Sequence, residues 1–186
     1  MTSDGGTWGE LVWGRGPKLM DWFLEPTCPH CGRAFGKLLP LLERAGEDRL
    51  TVRLTVHSQP WHLFSGVVSR AVLAATLTPE GRDAAYRVMA AVYEHREDYI
   101  ATDHSSGPNM DAPPSTMLQR IADHCGLDLR AVFERKEAGD MLKRHIRFAR
   151  QNGIHASPTF MVDGLVNDKL GSRDEVDTWL GELGLA

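Results

Sequence analysis

Between residues 49 and 57 apolar and polar side chains alternate, with Leu50, Val52, Leu54 and Val56 on one face and Thr51, Arg53 and Thr55 on the other. A period of two predicts a strand with one buried face. The apolar run Met20, Trp22, Phe23 and Leu24 predicts an earlier buried strand, ended by Pro26, which has no N–H for a ladder. Between these strands, residues 28–45 read as one helix with Leu38, Leu39, Leu41 and Leu42 as its apolar side. Pro40 is expected to kink it and Gly46 to stop it. Strand, helix and strand then form one parallel βαβ unit. Ahead of it, residues 1–6 read as a loose tail and residues 8–13 as a short edge strand.

The pattern then changes period. Val67, Val68, Ala71, Val72 and Ala75 recur at helical spacing, as do Val88, Met89, Val92 and Tyr93. Helices are predicted over residues 63–77, 79–97, 115–126 and 128–152, with Thr78 and the Thr116–Gln119 pair as start signals. The polar, proline-rich segment 102–114 is a loop among them. Residues 159–163 read as a third strand, Asp163-Gly164 as a tight hairpin turn, and residues 165–167 as an antiparallel fourth strand. Ser172 and Glu175 form a capping box for a last helix that carries Val176, Trp179 and Leu180 inward.

Composition narrows the class of protein. A chain of 186 residues, 42% hydrophobic and 25% charged, can bury one good core with a smaller attached subdomain. A formal net charge of −4 leaves no electrostatic footprint for nucleic acid, and no apolar run is long enough to span a bilayer. The first 19 residues contain Asp4 and Glu10 and no continuous apolar stretch, so they do not read as a secretory signal. The expectation is a cytoplasmic protein as written, or a periplasmic or extracellular one if a leader has been removed. Three cysteines are too few for a disulfide-rich scaffold.

Two of the three, Cys28 and Cys31, stand three residues apart where the first strand gives way to the helix, in the order Cys28-Pro29-His30-Cys31. Pro29 suits the first helical position, which makes Cys28 the N-cap. Unsatisfied N–H groups and the helix dipole stabilise a thiolate there, and a protonated His30 adds to the effect. Cys28 is thus the candidate nucleophile. Cys31, one turn on, is placed to attack a mixed disulfide at Cys28, and the spacing suits a reversible disulfide. Three bland readings compete. Haem attachment fails because Gly32 stands where a histidine should follow. A zinc site needs two more ligands, for which His124 and Cys125 are the other paired candidates. Two incidental thiols are the remaining reading.

At these residues the chain resembles the DsbA-like branch of the thioredoxin superfamily, whose motif is Cys-Pro-His-Cys. A second segment, from Gly153 through Ser157 and Pro158 to Gly164, is similar to that family's cis-proline loop, strand and hairpin turn. The resemblance covers roughly residues 18–60 and 138–183, and two motifs about 130 residues apart in the expected order are more specific than either alone. It implies an α/β protein with the thioredoxin fold, a central mixed sheet flanked by helices, carrying an α-helical insertion. The fold domain is expected in residues 1–60 and 138–186 and the insertion in 61–137.

The implied activity is thiol–disulfide exchange with protein or peptide substrates, needing neither metal nor organic cofactor. The site residues are Cys28, Cys31, His30 and Pro29, with a cis Ser157–Pro158 bond presenting Ser157 as a peptide-binding edge. Ser157 itself departs from the residues expected there, and Trp22 stands where the family often carries a buried acid. A second reading keeps the fold and uses glutathione, as in kappa-class glutathione transferases and chromene carboxylate isomerases. A third is a zinc-binding interaction module.

Other residues have simpler expectations. Glu25 reads as an exposed loop carboxylate or as a proton acceptor beside the cysteines, and Asp21 shares its face by strand alternation. Trp61, with Gln59 and His62, reads as a wall of the site or an ordinary core-edge aromatic. Cys125 reads as a small apolar residue at a helix end and His124 as a surface histidine. No two of the eight histidines fall at i, i+3 or i, i+4, so helical spacing indicates no metal site. Lys143, Arg144, Arg147 and Arg150 read as a solvated helix face.

Overall fold

The computed structural model describes residues 11–103 and 105–186. Five strands form one mixed sheet: β1 (Val12–Gly14), β2 (Lys18–Leu24), β3 (Leu50–Val56), β4 (Thr159–Val162) and β5 (Leu165–Val166), in the order β1-β3-β2-β4-β5. The central pair, β2 and β3, is parallel with Met20 opposite Val52 and Trp22 opposite Leu54, as a βαβ unit requires. β1 and β4 add antiparallel on either side. Of the edge strand expected at residues 8–13, residues 8–10 lie outside the described residues and residues 12 and 13 belong to β1. Asp163 and Gly164, both at positive φ (50° and 88°), make the hairpin turn into β5.

The alternation of β2 sorts its side chains between two layers. Met20, Trp22 and Leu24 join Leu50, Val52, Leu54, Val56 and Phe160 in the main core. At its centre three rings meet edge to face: Trp22 and Trp179 at 5.2 Å, Phe160 and Trp179 at 4.8 Å, and Trp22 and Phe160 at 5.7 Å. Trp179 comes from the last helix, α8 (Val176–Leu183), and its indole N–H donates to the Gly171 carbonyl at 3.1 Å. On the other face, Phe23 stacks on Phe148 and packs with Ala149, Ile154 and Met161.

The segment expected as one helix over residues 28–45 is two, α1 (Pro29–Phe35) and α2 (Leu38–Ala45). Pro40 has no N–H for the Gly36 carbonyl four residues back, so the regular ladder stops there. Pro40 itself sits in the first turn of α2, where the missing donor has no intrahelical partner to lose. Leu39 is 46% exposed and does not share the buried side with Leu38, Leu41 and Leu42.

Between β3 and β4 the chain forms α3 (Ser65–Ala75), α4 (Arg82–Glu94), a 3-10 turn (Arg96–Tyr99), α5 (Pro114–Cys125), α6 (Arg130–Phe133) and α7 (Lys136–Gln151). The helix expected over 128–152 is therefore broken, at Glu134 and Arg135, into a short piece and a long one. Three start signals are displaced as well. The Thr78 hydroxyl closes the end of α3 by donating to the Ala75 carbonyl, and α4 begins only after Gly81. α5 starts two residues ahead of Thr116, since Pro113 is held extended and Pro114 fits the first helical position. Glu175, not Ser172, is the N-cap of α8.

α7 presents a basic outer face, yet His145 points inward and is fully buried. Its Nδ1 accepts the Val56 N–H at 3.0 Å, tying α7 to the end of β3. Burial holds this imidazole down at about 3, so it is neutral at physiological pH.

Replacing Trp179 with alanine removes a fully buried indole from the ring cluster between sheet and α8. Such deletions destabilise by about 3–5 kcal/mol. Urea unfolding of W179A should show that loss in the midpoint, and W179F a clearly smaller one.

Candidate active site

β2 delivers the chain into a turn at residues 25–28, and α1 leaves it. Cys28 has the extended backbone of an N-cap (φ −83°, ψ 127°), with Pro29 at the first helical position. Its N–H donates to the Glu25 carbonyl at 3.2 Å. Thr27 donates to the Glu25 carboxyl group through both its N–H (2.7 Å) and its hydroxyl (2.9 Å). One turn into α1, Cys31 is fully buried, and its sulfur accepts the Glu25 N–H at 3.3 Å. Both thiols are free.

The second element of the site arrives from the far end of the chain. The Ser157–Pro158 peptide is cis, and the Ser157 carbonyl lies 3.9 Å from the Cys28 sulfur. Gln59, buried after β3, donates to the His155 carbonyl at 3.3 Å and so ties this loop to the end of the sheet. A cleft of about 390 Å³ is lined by Cys28, Pro29, His30, Trp61, His62, Arg96, Ala156 and Ser157. Trp61, 52% exposed, thus lines the site and is not a core-edge aromatic.

The two sulfurs are pushed in opposite directions. Cys28 is held down at about 6, chiefly because the Cys31 thiol donates a hydrogen bond to it. Its own burial opposes this, while the N–H groups of Cys31 and His30 and the His30 charge help. Cys31 is pushed up, first by burial and then by its neighbour Cys28. At neutral pH the pair is one thiolate and one thiol. His30 is exposed, and Arg33 reaches its Nδ1.

Glu25 is not the exposed carboxylate expected. It is fully buried, and that burial raises it to about 7 despite hydrogen bonds from Ser65 and Thr27 that favour the charged form. Asp21 does not accompany it. It lies within β2 on the side of Phe23 and Phe148, buried and paired with Arg53, which sits over the Phe148 ring.

Two residues of the helical segment reach the turn. The Tyr93 hydroxyl of α4 donates to the Glu25 carbonyl at 3.2 Å, and Arg96 donates to the Thr27 carbonyl at 2.6 Å. Gly32 leaves room for the Tyr93 ring, since a Cβ there would sit a tight 3.0 Å from it. Neither residue carries a sequence signal, since a tyrosine and an arginine on helical spacing look like ordinary face residues. His124 and Cys125 do not complete a zinc site with the cysteine pair. Among the described residues, the one group of three potential metal ligands contains neither Cys28 nor Cys31. Cys125 packs partly buried against the core at the end of α5.

Comparison with known proteins places this geometry. The family model described as thioredoxin matches residues 15–182. A solved structure of a candidate protein-disulfide isomerase from Pseudomonas syringae is 48% identical, with a TM-score of 0.92, covering 94% of this chain and 97% of that one. The thiol-disulfide exchange protein α-DsbA2 from Wolbachia pipientis superposes with a TM-score of 0.68 at 12% identity, covering 93% and 84%. DsbA2 from Pseudomonas aeruginosa gives 0.66 at 16% identity, covering 93% and 91%. No curated protein sequence matches the chain at a significant level. The mixed five-stranded sheet with its flanking helices is the thioredoxin-like fold shared by these structures.

Iodoacetamide labelling of Cys28 in the reduced protein should follow a midpoint near pH 6. Cys31→Ala should move that midpoint upward more than His30→Ala does, because the Cys31 thiol is the larger influence. Glu25 binds its proton more tightly folded than unfolded, so its contribution to stability is complete below about pH 4.5 and is lost as pH rises through 7. Glu25→Gln should therefore be neutral at pH 4 and stabilising at pH 8, by at most about 3 kcal/mol, in paired chemical-denaturation curves.

Proposed function

Because the chain belongs to the thioredoxin family, we propose that it is an enzyme, a DsbA-like thiol–disulfide oxidoreductase, exchanging a Cys28–Cys31 disulfide with cysteine thiols of protein or peptide substrates. The observation that carries the reading is the pairing of a lowered Cys28 with a buried, raised Cys31 at the mouth of the cleft. Thiolate attack needs one sulfur ionised and accessible, and resolution needs a second held within reach.

In the reducing direction the Cys28 thiolate attacks a substrate disulfide and forms a mixed disulfide, expelling one substrate thiolate. Cys31 gives up its proton and attacks the Cys28 sulfur, forming the Cys28–Cys31 disulfide and expelling the second substrate thiolate. Oxidation of a substrate dithiol is the same path in reverse. A stabilised Cys28 thiolate favours the dithiol form, so the disulfide form is an effective oxidant. His30 and Pro29 serve Cys28 through charge and helix geometry. Ser157, before the cis-proline, offers its main chain to an extended substrate backbone. Two thiols acting on one another favour exchange over the glutathione-dependent reading, which uses a single hydroxyl or thiol.

Cys31→Ser cannot cut the mixed intermediate loose, and disulfide-linked substrates should accumulate on Cys28 when that variant is isolated without reductant. Cys28→Ser should trap almost nothing. Mass spectrometry of what a reductant releases separates the readings: cysteine-containing proteins support exchange, glutathione alone supports the transferase-like chemistry, and trapping by Cys28→Ser would reverse the roles of the two thiols.

A further inference from the structure

Away from the cysteines, three ligand-bearing side chains converge where α4, the 3-10 turn and α5 meet. His95 is the C-cap that follows α4, Asp98 lies in the turn, and His124 is the penultimate residue of α5. One ligand atom from each lies within 4.8 Å of the others. The rings of His95 and His124 stack at 3.9 Å, 23° from parallel; a ring nitrogen's lone pair lies in its ring plane, so an ion shared by the two requires the exposed His95 ring to turn out of the stack. The His124 Nε2 and Asp98 Oδ2 are 3.4 Å apart. That is long for an N–H···O bond, which falls at about 2.7–3.2 Å. It matches the edge of a tetrahedral zinc site, where two bonds of about 2.0–2.2 Å at the tetrahedral angle put ligand atoms roughly 3.3–3.5 Å apart.

The outer contacts are compatible with the same arrangement. The Tyr99 hydroxyl, on a fully buried residue, is 2.8 Å from His124 Nδ1. With Nδ1 protonated and bonded to that oxygen, the lone pair of Nε2 faces Asp98, which is how outer partners orient metal-bound histidines. The turn carrying Asp98 is held independently: Arg120 of α5 donates to the Asp98 carbonyl and, at 2.9 Å, to the Asn109 side chain. His95 and Asp98 are exposed and His124 is half-buried, so an ion has access.

We propose that His95, Asp98 and His124 form a divalent metal site suited to zinc, with water as the fourth ligand, clamping the 3-10 turn to α5. Two imidazoles and one carboxylate suit zinc better than calcium or magnesium, which take oxygen ligands. The consequence reaches the cleft. Arg96, between two of the ligands in sequence, is the residue that holds the Thr27 carbonyl. Fixing the turn therefore fixes the arm that rests on the cysteine loop.

The test uses untagged, EDTA-stripped protein with the Cys28–Cys31 pair oxidised, titrated with zinc by calorimetry at pH 7.5. One zinc per chain is expected, with affinity falling at least tenfold in His95→Ala and in Asp98→Asn, both exposed positions where folding is not at stake. Zinc should raise the melting temperature of the wild type and of neither variant. Binding should weaken at pH 5.5, as the histidines protonate. Cobalt in place of zinc should give ligand-field bands without thiolate charge transfer. Unchanged affinity in both variants would place the metal elsewhere, and an intense thiolate band would assign it to Cys125, the one thiol left when the pair is oxidised; either result overturns the proposal.

Discussion

One hydrogen bond sets the character of the cleft: the buried Cys31 thiol donates to the Cys28 sulfur. A thiol in an apolar core resists ionisation because its charge would be poorly solvated. Held beside a second sulfur at the core boundary, it instead stabilises charge on its neighbour. The asymmetry needs both halves, Cys31 at 0% exposure within the core and Cys28 at 6% on its rim. Helix α1 supplies this by placing the two residues one turn apart, and packing of the main core decides which one is inside.

The surrounding loop is built from three directions. β2 leads into it, the cis Ser157–Pro158 peptide lies against it after a long excursion of chain, and α4 with its following turn braces it through Tyr93 and Arg96. The helical segment is therefore more than a lid on one side of the sheet, because its side chains hold the backbone carbonyls of Glu25 and Thr27. Glu25 occupies the resulting enclosure. Its burial beside two sulfurs leaves a carboxyl group that titrates near neutrality, where the cysteine pair exchanges protons.

Much of this was legible in the order of residues. The β2–α1–β3 unit, the hairpin at Asp163 and Gly164 and the N-cap position of Cys28 follow from local signals, and the thioredoxin-like class from the family resemblance of the Cys28–Cys31 and Ser157–Pro158 segments. Alternation fixes a strand's buried face, Pro29 suits the first turn of a helix, and paired positive-φ residues make a tight turn. Local signals misplaced elements where a competing local rule prevailed. Pro40 ended one helix and began another without bending a single one. Pro113 and Pro114 overrode the cap expected at Thr116.

Other features were decided by the tertiary structure. An isolated sequence cannot tell a buried Glu25 from an exposed one, since burial depends on Tyr93 and Ser65 arriving from helices far along the chain. The same holds for Arg96 on the Thr27 carbonyl, for Trp61 lining the cleft and for His145 turned into the core. His95 and His124 are 29 positions apart in sequence and at the ends of different helices, so no spacing rule pairs them; only the packing of α4 against α5 does. The chemistry-bearing atoms and the local geometry of Cys28 were set by sequence, because capping and turn preferences act within a few residues. The environment that divides the two sulfurs into thiolate and thiol was set by packing, because desolvation is a property of everything around a group.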